Sequence, residues 1–271
     1  MPRKMPGKCI FCGGGNLSKE HFWPEWASTL LPSYPVNQHV EHLYTFTEVT
    51  KLKEAPQTRT KPGMAWTKKI RVVCERCNNG WMNVLETAAR PLLTQLICTT
   101  PHTMTAAGIL VVAQWIALKV MVGEHNQRGD AVTLPVDRAQ FRSTLHLPHN
   151  FKIWIARCGT EGWETAYLRH AATVSASPRV RPEHRHKNIH AVTFGIGDLL
   201  VHVLHTTAPD VNRELSVEQR GVVLQLYPIE AEIAWPPVRC IGADEAAYLA
   251  RTLDRLFRSD RVRWMPLPTQ G

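Results

Sequence analysis

The stretches that decide the fold are two short cysteine pairs, Cys9-Ile10-Phe11-Cys12 and Cys74-Glu75-Arg76-Cys77. Two thiolates separated by two residues can bind one Zn²⁺ from a tight turn, and two such turns complete a tetrahedral four-sulfur shell. A closed shell leaves no position for a substrate, so the spacing predicts a structural zinc on Cys9, Cys12, Cys74 and Cys77. The alternative is a redox C-x-x-C motif, which normally occurs once and in a βαβ context.

The other cysteines stand singly, at Cys98, Cys158 and Cys240. An odd total of seven, with four of them in pairs, is not the pattern of a secreted disulfide framework. We therefore expect a reducing, cytoplasmic location and single cysteines that pack in the core. Residues 1–8 are basic but precede no apolar segment, so no signal peptide is expected.

The formal net charge of the 271 residues is +9. A basic excess favours polyanionic partners, because each neutralised phosphate releases counterions. We expect nucleic acid, with double-stranded DNA first, although a merely soluble basic protein has the same charge. A Pro/His-rich loop offers cations that could contact phosphates, or that are simply solvated: Arg179, Arg181, Arg185 and Lys187.

Residues 104–122 are nearly all apolar, as in a membrane span or a buried core helix. Lys119 and Gln114 lie within this run, and a lysine in the middle of a bilayer is costly. We expect a buried helix over residues 104–123 and no membrane partner.

The residue pattern of the sequence changes near residue 101. We therefore predict two domains and an α+β fold. Residues 1–100 form a zinc-bound module with a long insertion at about 32–70, and residues 101–271 form an α+β domain with an antiparallel sheet. A helix is expected over 78–97, interrupted by Pro91, with Trp81, Leu85, Ala88 and Leu92 on one face. The expected strands are one from Phe151 with a partner at Trp163–Ala171, a hairpin of Ile189–Ile196 and Leu199–His205, and two more at Val222–Leu226 and Ile229–Trp235. A closing helix is expected at Asp244–Arg258.

The sequence Leu17-Ser18-Lys19-Glu20-His21-Phe22-Trp23-Pro24 follows the first cysteine pair, and Asn78 directly follows the second. This order, C-x-x-C, acidic-His, then C-x-x-C-Asn, resembles the zinc-containing branch of the HNH endonucleases over residues 9–90. The resemblance implies a zinc-stapled treble-clef (ββα-metal) module that hydrolyses phosphodiester bonds. It implies that His21 is the general base and that Glu20 and Asn78 bind a catalytic divalent ion. Because Asn78 stands where many members have a histidine, Mg²⁺ or Mn²⁺ is favoured.

Some assignments remain open at the level of sequence. The middle Asn of the family, which orients the base, has only a weak candidate in Asn37, and three residues could support the site: Asn79, Asn83 and Glu86. Asn78 could instead cap the following helix. Trp23, Trp26 and Trp81 are as well explained by core packing. His202 and His205 lie on opposite faces of a strand and are poor joint ligands. A catalytically inactive zinc module that binds nucleic acid or a protein partner is the alternative function.

Overall fold

The computed structural model describes residues 7–31, 38–43, 46–48, 51–52, 57–62, 68–126, 131–159, 166–172, 187–207 and 222–253. In these ranges the chain is α+β, and its strands pair antiparallel. The fold class expected from the sequence is therefore confirmed at this level.

The N-terminal part is built on one long-range strand pair. β1 (Leu17–His21) pairs with β6 (Lys69–Cys74), with Leu17 opposite Cys74 and His21 opposite Lys69. Between them, the segment expected as an irregular hairpin holds two further antiparallel pairs. Their strands are β2 (Gln38–Leu43) with β5 (Gln57–Pro62), and β3 (Phe46–Glu48) with β4 (Lys51–Leu52).

The chain passes from β6 directly into helical structure. α1 (Glu75–Cys77) continues through a π turn at Asn78–Met82 into α2 (Asn83–Ile97). The prediction that Pro91 divides this helix is wrong, since α2 runs through Pro91 without a break. Proline removes one backbone donor, and α2 tolerates that loss because it packs along a buried face. That face is also shifted from the predicted one, with Ala88 exposed and Leu92 only half-buried. The buried residues are Leu85, Ala89, Leu93, Leu96 and Ile97.

The apolar helix predicted at residues 104–123 is confirmed as a buried element. It follows β7 (His102–Met104) and forms α3 (Ala106–Gly123), capped by Thr105, whose side chain accepts a hydrogen bond from the Gly108 amide. By length and composition the helical stretch Ala106–Asn126 could also cross a membrane, but 72% of its most apolar window is buried within the protein. α4 (Pro135–Thr144), which the sequence analysis did not predict, follows it.

A five-stranded sheet forms the centre of the C-terminal part. Its strands are β8 (Phe151–Arg157), β9 (Tyr167–Ala172), β10 (Ile189–Ile196), β11 (Leu199–Thr206) and β12 (Val223–Tyr227), in the order β12-β8-β11-β10-β9. The hairpin of β10 and β11 is confirmed, with Gly197 in its turn at φ +53°. β9 was expected as the partner of β8, but it lies at the opposite edge and pairs with β10.

Two short elements complete the fold. β13 (Ile233–Trp235) is shorter than the strand predicted at 229–235, and it pairs with β7. α5 (Ala243–Ala250) begins the predicted closing helix, whose residues 254–258 lie outside the described ranges.

The sheet is buried on both faces. One face joins α3 and the N-terminal module in a single core that includes Phe22, Trp115 and Phe194. The other face packs α5 in a second core that includes Trp154 and Leu249. Side chains from both sides of residue 100 share the first core, while the domain boundary at that position stays a prediction.

Candidate metal centre and its surroundings

The four paired cysteines come together at one point. The four sulfur atoms, those of Cys9, Cys12, Cys74 and Cys77, all lie within 4.8 Å of one another. The Cys12 and Cys74 sulfurs are 3.5 Å apart, near the separation of about 3.8 Å expected for two sulfurs each 2.3 Å from a tetrahedral zinc. All four are free of disulfides and only Cys12 is exposed. The donor set fits a structural zinc with a closed shell.

Local backbone geometry shapes the first cysteine turn. Gly13 has φ +71°, a conformation that glycine adopts without strain. The Gly13 amide donates to the Cys9 carbonyl at 2.9 Å, and the Cys9 amide donates to the Gly14 carbonyl at 2.8 Å. The Gly14 amide points at the Cys12 sulfur, 3.4 Å away. Such amide donors stabilise a thiolate, so the turn is prepared for metal binding.

Strand pairing carries the second cysteine pair to the first. The Ile10 amide donates to the Val72 carbonyl at 3.0 Å, which extends the β1–β6 contact to the cysteine turn. Cys74 is the last residue of β6, and Cys77 lies one helical turn later, at the end of α1. The long segment between the pairs is therefore accommodated outside the cluster.

The thiols of the cluster differ in acidity. Burial raises the pKa of Cys77 to about 12. Burial also acts on Cys9, but backbone hydrogen bonds outweigh it and lower its pKa to about 7. A zinc ion deprotonates the thiols that it binds, so binding releases protons and the affinity falls as the pH falls.

Glu20, the expected ligand of the catalytic ion, belongs to a buried group of charges. Its carboxylate accepts a hydrogen bond from Lys119 Nζ at 2.8 Å, and Glu86 lies 3.1 Å from the same nitrogen. Lys119 Nζ also donates to the His21 backbone carbonyl at 3.1 Å. Lys119, from the C-terminal half of α3, therefore joins β1 to α2.

The charge of Lys119 is stabilised by its neighbours. Its side chain is only 2% exposed, and burial alone would lower its pKa. The Glu20 and Glu86 carboxylates outweigh that effect and raise the pKa above its usual value. Since the folded pKa exceeds the unfolded one, this stabilisation is lost as the pH rises above about 10.4, and below that pH it is present as long as the two carboxylates are ionised.

His21, the expected general base, lies at the end of β1 with its side chain 26% exposed. Its Nε2 atom is 3.9 Å from a Glu25 carboxylate oxygen. Its Nδ1 atom is buried and has no hydrogen-bond partner among the described residues. Asn37, the weak candidate for orienting the base, lies outside those residues.

Asn78 is half-buried at the junction of α1 and the π turn. The idea that it caps the helix is wrong, because Asn78 has helical dihedral angles and the helical run begins earlier, at Glu75. Of the three residues that could support the site, Asn79 and Asn83 are exposed, and Glu86 contacts Lys119.

The tryptophans near the motif pack as expected. Trp23 is buried in the first core, and Trp81 meets Phe11 edge-to-face at 5.1 Å. Trp26 is half-buried beneath the guanidinium of Arg90, 5.3 Å from the ring centre.

The expected phosphate contacts fall mostly outside the described residues. This holds for Arg179, Arg181 and Arg185, while Lys187 is described and half-buried. Of the three single cysteines, Cys158 is buried as expected, Cys240 is intermediate and Cys98 is exposed, so the prediction of core packing is wrong for Cys98.

A second group of potential ligands was missed by the sequence analysis. Glu124, His190 and His205 are buried with their ligand atoms within 4.8 Å of one another. The expectation that His202 and His205 face apart is confirmed, because His202 contacts Thr193 on the other face of the sheet. The hairpin register, which sets His190 opposite His205, was the signal that could have found this pair.

No family model, curated protein or solved structure matches this chain. The functional argument therefore rests on its own residues and on their arrangement.

Proposed function

We propose that this chain is a metal-dependent, HNH-like endonuclease that hydrolyses phosphodiester bonds in DNA. Its core would be a treble-clef, ββα-metal module stapled by a structural zinc. The observation that supports this most is the four-cysteine cluster at one end of the β1–β6 pair. The same strand pair carries Glu20 and His21, and the helical run that follows it carries Asn78.

In the proposed reaction, His21 removes a proton from a water molecule. The water oxygen then attacks phosphorus, the bond from phosphorus to the leaving oxygen breaks, and the leaving oxygen takes up a proton from solvent. Glu20 and Asn78 would hold Mg²⁺ or Mn²⁺, hard cations that suit oxygen ligands and that stabilise the charge developing on the phosphate. A partly exposed imidazole such as that of His21 can exchange its proton with water.

The charges near Glu20 are compatible with this role. Glu20, Glu86 and Lys119 together carry one excess negative charge at neutral pH, since two carboxylates face a single ammonium. A divalent cation is attracted to such a site. The ion pair with Lys119 also holds the Glu20 side chain against α3, so Glu20 is positioned by the C-terminal part of the chain.

DNA is favoured as the substrate by the charge of the whole chain, which is +9. Positive charge concentrates a polyanion near the protein and makes its binding dependent on salt. The residues proposed to contact phosphates are Arg179, Arg181, Arg185 and Lys187.

Replacing His21 with alanine is expected to reduce plasmid nicking in Mg²⁺ or Mn²⁺ by about 10²–10⁴-fold, the usual contribution of a general base. His149→Ala is the matched control, because His149 is exposed and lies far along the chain from the motif. Nicking rates are measured on supercoiled plasmid, with zinc content and circular dichroism showing that both variants are folded. Equal nicking by wild type and His21→Ala would remove the proposal.

A catalytically inactive zinc module that binds nucleic acid is the second candidate. Two observations favour it: the Glu20 carboxylate is already paired with Lys119, and His21 Nδ1 has no orienting partner in the described ranges. This candidate predicts that DNA binding weakens steeply with salt and that no divalent ion supports cleavage. A protein that neither binds nor cuts DNA would eliminate both candidates and leave a protein partner as the alternative.

A further inference from the structure

A group of buried polar side chains lies between the end of α3 and the five-stranded sheet, apart from the cysteine cluster. Glu124 directly follows α3, while His190 and His205 face each other across β10 and β11. All three are fully buried, with exposures of 0%. Two imidazoles and one carboxylate are therefore enclosed together in the protein interior, beside Arg169 and Thr133.

The distances in this group suit metal ligands better than a direct hydrogen bond. His190 Nε2 and Glu124 Oε1 are 3.5 Å apart, which is long for a hydrogen bond. Two ligand atoms about 2.0–2.1 Å from one tetrahedral zinc would lie about 3.4 Å apart. One ligand atom from each of Glu124, His190 and His205 falls within 4.8 Å of the other two.

His205 gives the strongest sign that something is bound here. Neither of its ring nitrogens has a hydrogen-bond partner in the part of the chain that the structure describes. A neutral imidazole carries one N–H donor and one lone pair, and leaving such groups unpaired in the interior costs about 1–3 kcal/mol. Phe151 packs against the ring with centroids 4.2 Å apart, which holds the imidazole in place.

The Glu124 carboxylate is also fixed by hydrogen bonds to residues 132 and 133. Glu124 accepts hydrogen bonds from the Val132 and Thr133 amides and from the Thr133 hydroxyl. Such contacts orient a metal-binding carboxylate. A metal binds an imidazole in its neutral form, and a nearby cation favours the charged form of a carboxylate.

We propose that Glu124, His190 and His205 bind a second ion, a divalent first-row transition metal, in a two-histidine, one-carboxylate site. Imidazole nitrogen with carboxylate oxygen suits Zn²⁺ or Fe²⁺. Three protein ligands leave at least one position, which a buried water would fill. The site is independent of the proposed nuclease function.

Binding has one identifiable cost. Arg169 Nε donates to His190 Nδ1 at 3.3 Å, whereas a metal on Nε2 requires the proton on Nδ1. Arg169 must therefore release this contact when the ion binds. The ion must outweigh both that loss and the guanidinium charge, so we expect weaker binding here than at the four cysteines.

The test compares zinc content in full-length variants after equilibration with Zn²⁺ and desalting. His205→Gln is expected to lose one zinc per chain relative to wild type. His202→Gln, on the same strand but facing the other core, is the matched control and is expected to retain it. Equal zinc content in wild type and His205→Gln overturns the proposal.

A second measurement keeps the proposal testable if His205→Gln does not fold. Crystals of the wild-type protein grown with Zn²⁺ are expected to give an anomalous peak between Glu124, His190 and His205 at the zinc edge. No peak there, with a peak at the four cysteines, overturns the proposal. Neither result depends on nuclease activity, so this site and the proposed function can fail separately.

Discussion

Cys77→Ser is expected to lose tightly bound zinc and to unfold the N-terminal part of the chain. Cys77 is 1% exposed and supplies one of four clustered sulfurs, and a serine hydroxyl is a poor zinc ligand. Structural zinc contributes an apparent binding free energy of about 10–16 kcal/mol. Because that is comparable to the whole stability of an ordinary domain, about 5–15 kcal/mol, even partial loss is severe.

Zinc content and chemical denaturation measure this effect, and the control is Cys98→Ser. Cys98 is an exposed, free cysteine outside the cluster, so its replacement should change neither zinc content nor stability appreciably. A chelator added to the wild-type protein should reproduce the Cys77→Ser result. If Cys77→Ser retained its zinc and unfolded at the same denaturant concentration as Cys98→Ser, the cluster would not be a structural zinc site.

Lys119→Met is expected to destabilise the protein by about 3–5 kcal/mol, the usual cost of leaving a buried charge without its partner. The substitution keeps most of the length of the side chain but removes the ammonium that faces Glu20 and Glu86. Two carboxylates would then remain close together, one of them buried on β1. The free energy of unfolding, measured in urea near neutral pH, reports the loss.

A combined variant separates charge from packing. Neutralising all three residues, as Glu20→Gln, Glu86→Gln and Lys119→Met, should be less destabilising than Lys119→Met alone, because no unpaired charge remains. Should the single and the triple variants be equally unstable, unpaired carboxylates would not be the cause of the destabilisation in Lys119→Met.

The four cysteines of the cluster could be predicted from the sequence because each pair depends on local spacing. A C-x-x-C turn places two sulfurs together whatever the rest of the chain does. The hairpin of β10 and β11 was predictable for a similar reason, since Gly197 marks a short turn between two strand-like runs.

The environment of Glu20 could not be predicted. Its partner Lys119 lies 99 residues away, and only the packing of α3 against the N-terminal module brings the two together. The resemblance to HNH endonucleases therefore suggested Glu20 as a metal ligand without revealing its ion pair. The position of β9 was missed because adjacent strands in sequence often pair, whereas here β11 and β12 flank β8.

Only part of the second ligand group, Glu124, His190 and His205, could have been predicted from the sequence. A two-residue turn fixes the register of a hairpin, so His190 opposite His205 follows once the turn is placed at Gly197-Asp198. Glu124 follows α3, and nothing in its local sequence indicates that it reaches this sheet.

Zinc K-edge X-ray absorption on the protein loaded with one equivalent of Zn²⁺ tests the central claim most directly. The claim is that two distant thiolate pairs close around a single ion. Four sulfur scatterers at about 2.3 Å are expected. A first shell dominated by nitrogen or oxygen at about 2.0–2.2 Å would contradict it, and the geometric basis for the nuclease proposal would then be lost.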